Sequence, residues 1–122
     1  MNKTIVLATD HAGFELKEHV KRFLTKKGYD IKDFGALEYD GFDDYPDFIL
    51  PAAKYISEHK LIGIIFGGSG QGEAMAANRI NGIRAAVFYN GPDEIVELSR
   101  LHNNANILSI GARFVNLSLI HI

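Results

Sequence analysis

Short runs of aliphatic and β-branched residues alternate with stretches of helical apolar spacing along the whole chain, and this alternation constrains the fold more than any other feature. Thr4 to Ala8 reads as a strand buried on both faces. Leu16, Val20, Phe23 and Leu24 then follow a helical period, which Gly28 ends. Tyr29 to Phe34 reads as a second strand closed by Gly35. An acidic loop with Asp43, Asp44 and Tyr45 leads to Pro46, a helix start whose buried face is Ala52, Ala53 and Ile56. Leu61 to Phe66 is the most apolar run and reads as a central strand, followed by Gly67-Gly-Ser-Gly-Gln-Gly72 and a helical stretch from Glu73 to Asn78. Ile83 to Tyr89 is a further strand. Pro92, Asp93 and Glu94 open a helix carrying Ile95, Val96, Leu98 and Leu101, and Asn106 to Ile110 is the last strand before Gly111.

Strands that alternate with helices need crossover connections, so they pair in parallel. The expected fold class is α/β: a doubly wound, Rossmann-like, three-layer α/β/α domain with about five parallel strands and helices on both faces. With 122 residues the chain fits a single domain, 1–122, and shows neither linker nor internal repeat. In such sheets ligands sit beyond the carboxyl ends of the strands. That places the expected site among Thr9 to Gly13, Gly67 to Glu73 and Gly111 to Arg113.

Thirteen Lys and Arg against fifteen Asp and Glu leave a net charge of -2, so no global field favours nucleic acid or an anionic membrane, and neither is an expected partner. The densest basic stretch, Lys17, Lys21, Arg22, Lys26 and Lys27, is interleaved with Glu15 and Glu18 and reads as a solvated helix face. The absence of Cys excludes disulfides, thiolate catalysis and cysteine zinc sites. The apolar run near Met1 is too short for a signal-peptide core or a membrane span, and a cytoplasmic protein is the expectation.

The glycine-rich segment is the strongest chemical feature, because glycines let backbone N–H groups surround an anion. It begins like a nucleotide P-loop, but Glu73-Ala74 stands where Lys-Ser/Thr should be. A dinucleotide fingerprint would follow the first strand, and a nucleophile elbow would need Gly where Gln71 stands. An oxyanion nest remains. Glu73 would ordinarily complement the helix dipole, yet a carboxylate beside such donors is also placed to take a proton from carbon while the donors hold an enolate oxygen. Asp10 has an ordinary role as a helix N-cap, and His11 gains interest only because first and third strands neighbour one another in doubly wound sheets. His102 at a helix end and Arg113 past the last strand have equally plain readings. No pair of His shows metal-ligand spacing, so no metal is expected.

Thr9-Asp-His-Ala-Gly13, Asp44-Tyr-Pro-Asp-Phe48, Gly67-Gly-Ser-Gly-Gln-Gly-Glu73, Ala76-Ala-Asn78, Gly82-Ile-Arg-Ala-Ala86, His102-Asn103, Ala105-Asn106 and Gly111-Ala-Arg113, in this order, resemble the ribose-5-phosphate isomerase B family, which also includes the subunits of galactose-6-phosphate isomerase. The resemblance implies cofactor-free interconversion of ribose 5-phosphate and ribulose 5-phosphate through ring opening and a cis-enediolate. It also implies a homodimer or tetramer with shared active sites and a small sugar phosphate as ligand. One branch of the family uses a cysteine base in the slot held here by Gly67; the other uses the glutamate that is Glu73 here. By the same resemblance His102 assists ring opening, and Asn103 with the amides from Gly68 through Gly70 to Gly72 holds the enediolate. His11 and Arg113 face the phosphate. Ser69, counted with the catalytic group, contacts sugar oxygens together with Asp10 and Tyr45.

Two departures from the family pattern stand out. Asn104 replaces a common aspartate, and the chain ends at Ile122 where relatives of this kind continue with a helix and a basic tail that supplies phosphate-binding arginines. The domain is expected to lack that segment. Two other classes compete with the isomerase: a non-catalytic or partner subunit of a heteromeric galactose 6-phosphate isomerase, and a flavodoxin-like ligand-binding or phosphoacceptor module using Asp10. Against the second, Asp10 is followed by His11 and not by a second carboxylate for magnesium.

Overall fold

Five parallel strands form one sheet in the order β2-β1-β3-β5-β4 among the described residues. The computed structural model describes residues 4–35, 46–68, 70–88 and 104–112, with the backbone alone at His11 and 46–48. The strands are β1 (Thr4–Thr9), β2 (Asp30–Asp33), β3 (Ile62–Gly67), β4 (Ala85–Phe88) and β5 (Ile107–Gly111); the helices are α1 (Phe14–Lys26), α2 (Pro46–His59) and α3 (Gln71–Ala77). A 3-10 turn, His11–Gly13, joins β1 to α1. The helix expected around 92–101 lies outside the described residues.

Side-chain alternation along the strands splits the core into two layers. Ile5 and Leu7 of β1, Ile64 and Phe66 of β3 and Ile110 of β5 pack against Leu16, Val20 and Leu24 of α1. Val6, Ala8, Ile65 and Ile107 point the other way, onto Ile49, Ala52, Ala53 and Ile56 of α2 and Ala77 of α3. The alanines expected on the buried face of the second helix are fully buried, and the expected central strand is the middle one. The central strands β1, β3 and β5 are therefore covered on both sides, as in other parallel sheets, while the edge strands β2 and β4 stay partly exposed. No helix among the described residues is long and apolar enough to cross a membrane.

The chain runs from β1 outward to β2, then crosses back to place β3 on the other side of β1. This reversal opens a crevice at the carboxyl ends of β1 and β3, the usual ligand position in such folds. β5 inserts between β3 and β4, which makes the ends of β1, β3 and β5 consecutive neighbours.

One expectation needs correction. Lys17 does not belong to a solvated face: its side chain is 0% exposed, and Nζ lies 2.7 Å from Asp33 Oδ2 and 2.9 Å from Glu18 Oε2. The reason is helical phase. Lys17 is three residues before Val20 and seven before Leu24, on their buried side, and Asp33 at the end of β2 supplies the charge that burial demands. Lys21 joins at 3.1 Å, and the Gly35 N–H donates to Asp33 Oδ1 at 2.9 Å. Burial alone would raise the Asp33 carboxyl pKa; the Lys17 hydrogen bond, followed by those from Gly35 and Lys21 and by the Lys17 charge, outweighs it, and the net shift is downward.

A lowered carboxyl pKa in the folded state stabilises above the unfolded value and is lost as pH falls through the folded one. Asp33→Asn should cost about 2–3 kcal/mol at neutral pH, at the low end for a broken buried pair because Glu18 still faces Lys17. The gap between wild type and variant should close below about pH 4. Urea unfolding at pH 7 and pH 3 checks this; a gap that does not change with pH would contradict it.

Candidate active site

The strand ends meet at one level. Thr9 pairs with Phe66 and Phe66 with Ile110, so Asp10, Gly67 and Gly111 follow side by side. Thr9 is fully buried at the crevice, with Oγ1 2.9 Å from the Asp10 carbonyl and 3.1 Å from the Phe66 carbonyl, sharing its one proton between them. Its N–H donates to the Gly35 carbonyl at 2.6 Å. Asp10 is 8% exposed, and its Oδ1 accepts from the Ala12 N–H at 3.0 Å. The capping role expected of an aspartate here is thus exercised on the 3-10 turn, while α1 itself has Gly13 as its N-cap and no side-chain capping bond.

β3 feeds directly into the glycine loop, which β5 holds at two points. The Gly67 carbonyl accepts from the Ala112 N–H at 2.7 Å. The Gly70 carbonyl accepts from the Ala74 N–H at 3.1 Å and from Ser109 Oγ at 2.6 Å, filling both its lone pairs. Gly70 caps α3 with φ 82°, in the left-handed region. A Cβ there would also stand 3.0 Å from the Gly111 nitrogen and 3.1 Å from the Ile110 carbonyl carbon, so backbone conformation and backbone contact both demand glycine.

Glu73, the third residue of α3, is 5% exposed. Its side chain folds back over the end of β3: a Cβ added to Gly67 would fall upon the Glu73 carboxyl, against Cδ and both oxygens. The carboxyl therefore fills the space that a side chain at position 67 would occupy. A glycine at the strand end and a glutamate six residues later form one device, with the loop between them folded so that they meet.

Of the residues expected in the site, Asp10, Gly68, Gly70, Gly72 and Glu73 share this end of the sheet, and the His11 backbone opens the adjoining turn. Tyr45, Ser69, His102, Asn103 and Arg113 lie outside the described residues. Asn104 lies at the opposite end, facing a cavity of about 480 Å³ lined also by Lys60, Leu61 and Arg84. Two residues within the matching motifs turn out to be structural. Asn78 Oδ1 accepts from the Ala85 N–H, and Asn106 Oδ1 accepts from the Arg84 N–H while its amide donates to the Gly82 carbonyl, each at 2.8 Å. They tie down the amino end of β4. Ser109 escapes sequence inspection, because a lone serine inside an apolar strand carries no motif. Among the described residues no group of three or more His, Cys, Asp or Glu could hold a metal ion.

A sequence model of the Ribose/Galactose Isomerase family matches residues 5–121. The chain belongs to this family. A relative from Mycolicibacterium paratuberculosis, named ribose-5-phosphate isomerase B, is 43% identical over 110 residues, covering 89% of this chain and 68% of its own length. The structure of the Clostridium thermocellum ribose-5-phosphate isomerase B superposes with a TM-score of 0.89 at 42% identity, over 95% of this chain and 77% of that one. The Mycoplasma genitalium ribose-5-phosphate isomerase B, solved with bound ribulose-5-phosphate, gives 0.88 at 36% identity, over 94% and 76%. The Rossmann-like expectation is therefore met by fold and by family alike.

Gly70→Ala should destabilise the ribose/galactose isomerase domain by about 2 kcal/mol, from the left-handed backbone and the crowding against β5 together. Urea denaturation measures it; a loss below about 0.5 kcal/mol would show that the loop relaxes freely.

Proposed function

We propose that this chain interconverts ribose 5-phosphate and ribulose 5-phosphate through a cis-enediolate, with Glu73 as the base. The observation that carries the reading is the buried Glu73 carboxyl lodged at Gly67, at the carboxyl end of the central strand and beside the crevice. Within the family the base is either a cysteine in the position of Gly67 or a glutamate in that of Glu73. Here the carboxyl fills the space of the missing side chain, so either residue would present its base from the same place.

The reaction moves a carbonyl between neighbouring carbons. With the sugar opened, Glu73 takes the proton from C2 of the aldose and the electron pair passes to the C1 oxygen. The loop amides from Gly68 to Gly72 and Asn103 hold the resulting enediolate. A proton passes from the C2 oxygen to the C1 oxygen, in the neighbourhood assigned to Ser69, and Glu73 returns its proton to C1. One carbon is oxidised as the other is reduced, so the step needs no external oxidant or reductant. Asp10 and Tyr45 hold sugar hydroxyls, and His11 and Arg113 the phosphate; Arg113 follows directly on Ala112, whose N–H is bonded to Gly67.

Ring opening by His102 asks for a second copy of the chain. Asn104 faces the cavity beside Lys60 and Leu61, at the amino end of β3, whereas Glu73 packs on Gly67 at its carboxyl end. That separation is roughly 20 Å at about 3.3 Å per strand residue. The two residue-to-residue steps from His102 to Asn104 span at most about 7 Å of extended chain. His102 and Asn103 therefore serve the site of a partner subunit, and the working enzyme is a homodimer. It works in the cytoplasm, since its charged substrates do not cross membranes unaided.

Glu73→Gln keeps the shape of the side chain and removes its basicity. Turnover of ribose 5-phosphate should fall by about 10²–10⁴-fold, with an unchanged circular dichroism spectrum. Near wild-type turnover would remove Glu73 as base.

A further inference from the structure

We infer that Ser109 is a positioning residue for Glu73, acting through the Gly70 carbonyl; this rests on the reading of Glu73 as the base. Ser109 sits in the middle of β5, fully buried, with Ile107, Leu108 and Ile110 around it in sequence. A hydroxyl in such surroundings is costly unless bonded, and an alanine or valine would suit a core strand better. Its hydroxyl is spent on one bond, 2.6 Å to the carbonyl of Gly70, thirty-nine residues away in the chain.

That bond fixes the start of α3 to the sheet. Gly70 is the cap from which α3 rises, and its other acceptor bond, to the Ala74 N–H, lies within the helix and would travel with it. Ser109 supplies the link to a different element. At the near end of the loop the Ala112 N–H holds the Gly67 carbonyl, so β5 grips Gly67 and Gly70 together. Between them these bonds set the separation between the strand end and the first turn of α3. The Glu73 carboxyl has to span that separation to lie upon Gly67. Without the hydroxyl, the first turn can shift as a unit against β5 and carry the carboxyl off its position. Proton transfer tolerates little of this, since a misplacement of about 1 Å can cost on the order of 10²-fold in rate.

A positioning role predicts a split that a purely structural role does not. Ser109→Ala should lower kcat about 10- to 100-fold while KM stays within about 3-fold, measured well below the melting temperature where the variant is fully folded. In the Glu73→Gln background the same substitution should lower kcat no further, because the group being positioned is gone. If Ser109→Ala does not fold, Ser109→Cys, of matching shape with a weaker donor, should show the split to a smaller degree. A wild-type kcat in Ser109→Ala, losses in proportion to the unfolded fraction, an undiminished effect on top of Glu73→Gln, or failure of both variants to fold would each overturn the proposal. A slow Glu73→Gln beside a normal Ser109→Ala would remove this inference alone, whereas a normal Glu73→Gln would remove the reading beneath it.

Discussion

Parallel pairing of every described strand gives the sheet two unlike ends, and the chemistry depends on that. Residues that follow strands gather at one end; residues that precede them gather at the other. Asp10, the glycine loop and Ala112 all follow strands, and they converge because β1, β3 and β5 are consecutive neighbours in register. The reversal of chain direction between β2 and β3 leaves a crevice at that end, and the Glu73 carboxyl lies beside it. The opposite end receives Asn104, Arg84 and the side chain of Asn106, which braces β4.

Within the carboxyl end, close approach replaces bulk. Gly67 leaves room for a carboxyl that belongs to another element, and Gly70 adopts a left-handed turn pressed against the β5 backbone. Loops this rich in glycine are entropically expensive to order, so something must hold them. Here β5 does so, through the Ala112 N–H and the Ser109 hydroxyl. On the far side of β1 the buried Lys17 and Asp33 pair acts in the same way, since Asp33 receives the Gly35 N–H and the Gly35 carbonyl receives the Thr9 N–H at the crevice itself. Ionic and hydrogen-bonded ties on each flank thus hold a strand end that apolar packing alone would leave loosely specified.

Much of this was legible in the sequence, and the exceptions share a cause. Alternating strand and helix patterns gave the parallel sheet, and the glycine loop with its glutamate pointed to the carboxyl end of the central strand, because both are signals contained in a few consecutive residues. The position of β5 between β3 and β4 was not legible, since strand order is set by how crossovers pack and by no local pattern. Lys17 carried a helical phase that pointed inward, but its charge pointed outward in any reading of composition, and the partner that reconciles the two is sixteen residues away in another element. Ser109 is the same case at longer range. That the Glu73 carboxyl would rest upon Gly67 also required the fold, because nothing in the spacing shows the loop doubling back.

With Glu73 as the proposed base and His102 as the proposed ring-opening group, the separation of the two ends requires each site to draw Glu73 from one chain and His102 from the other. Mixing the Glu73→Gln and His102→Ala variants under conditions where subunits exchange measures it directly. In a mixed dimer one site carries both substitutions and the other carries neither. Two nearly inactive proteins should then regain about a quarter of wild-type turnover, as half the dimers at equal mixing are hybrids with one intact site each. Activity that stays at the mean of the two variants after subunit exchange would place His102 and Glu73 in the same chain's site and contradict the account.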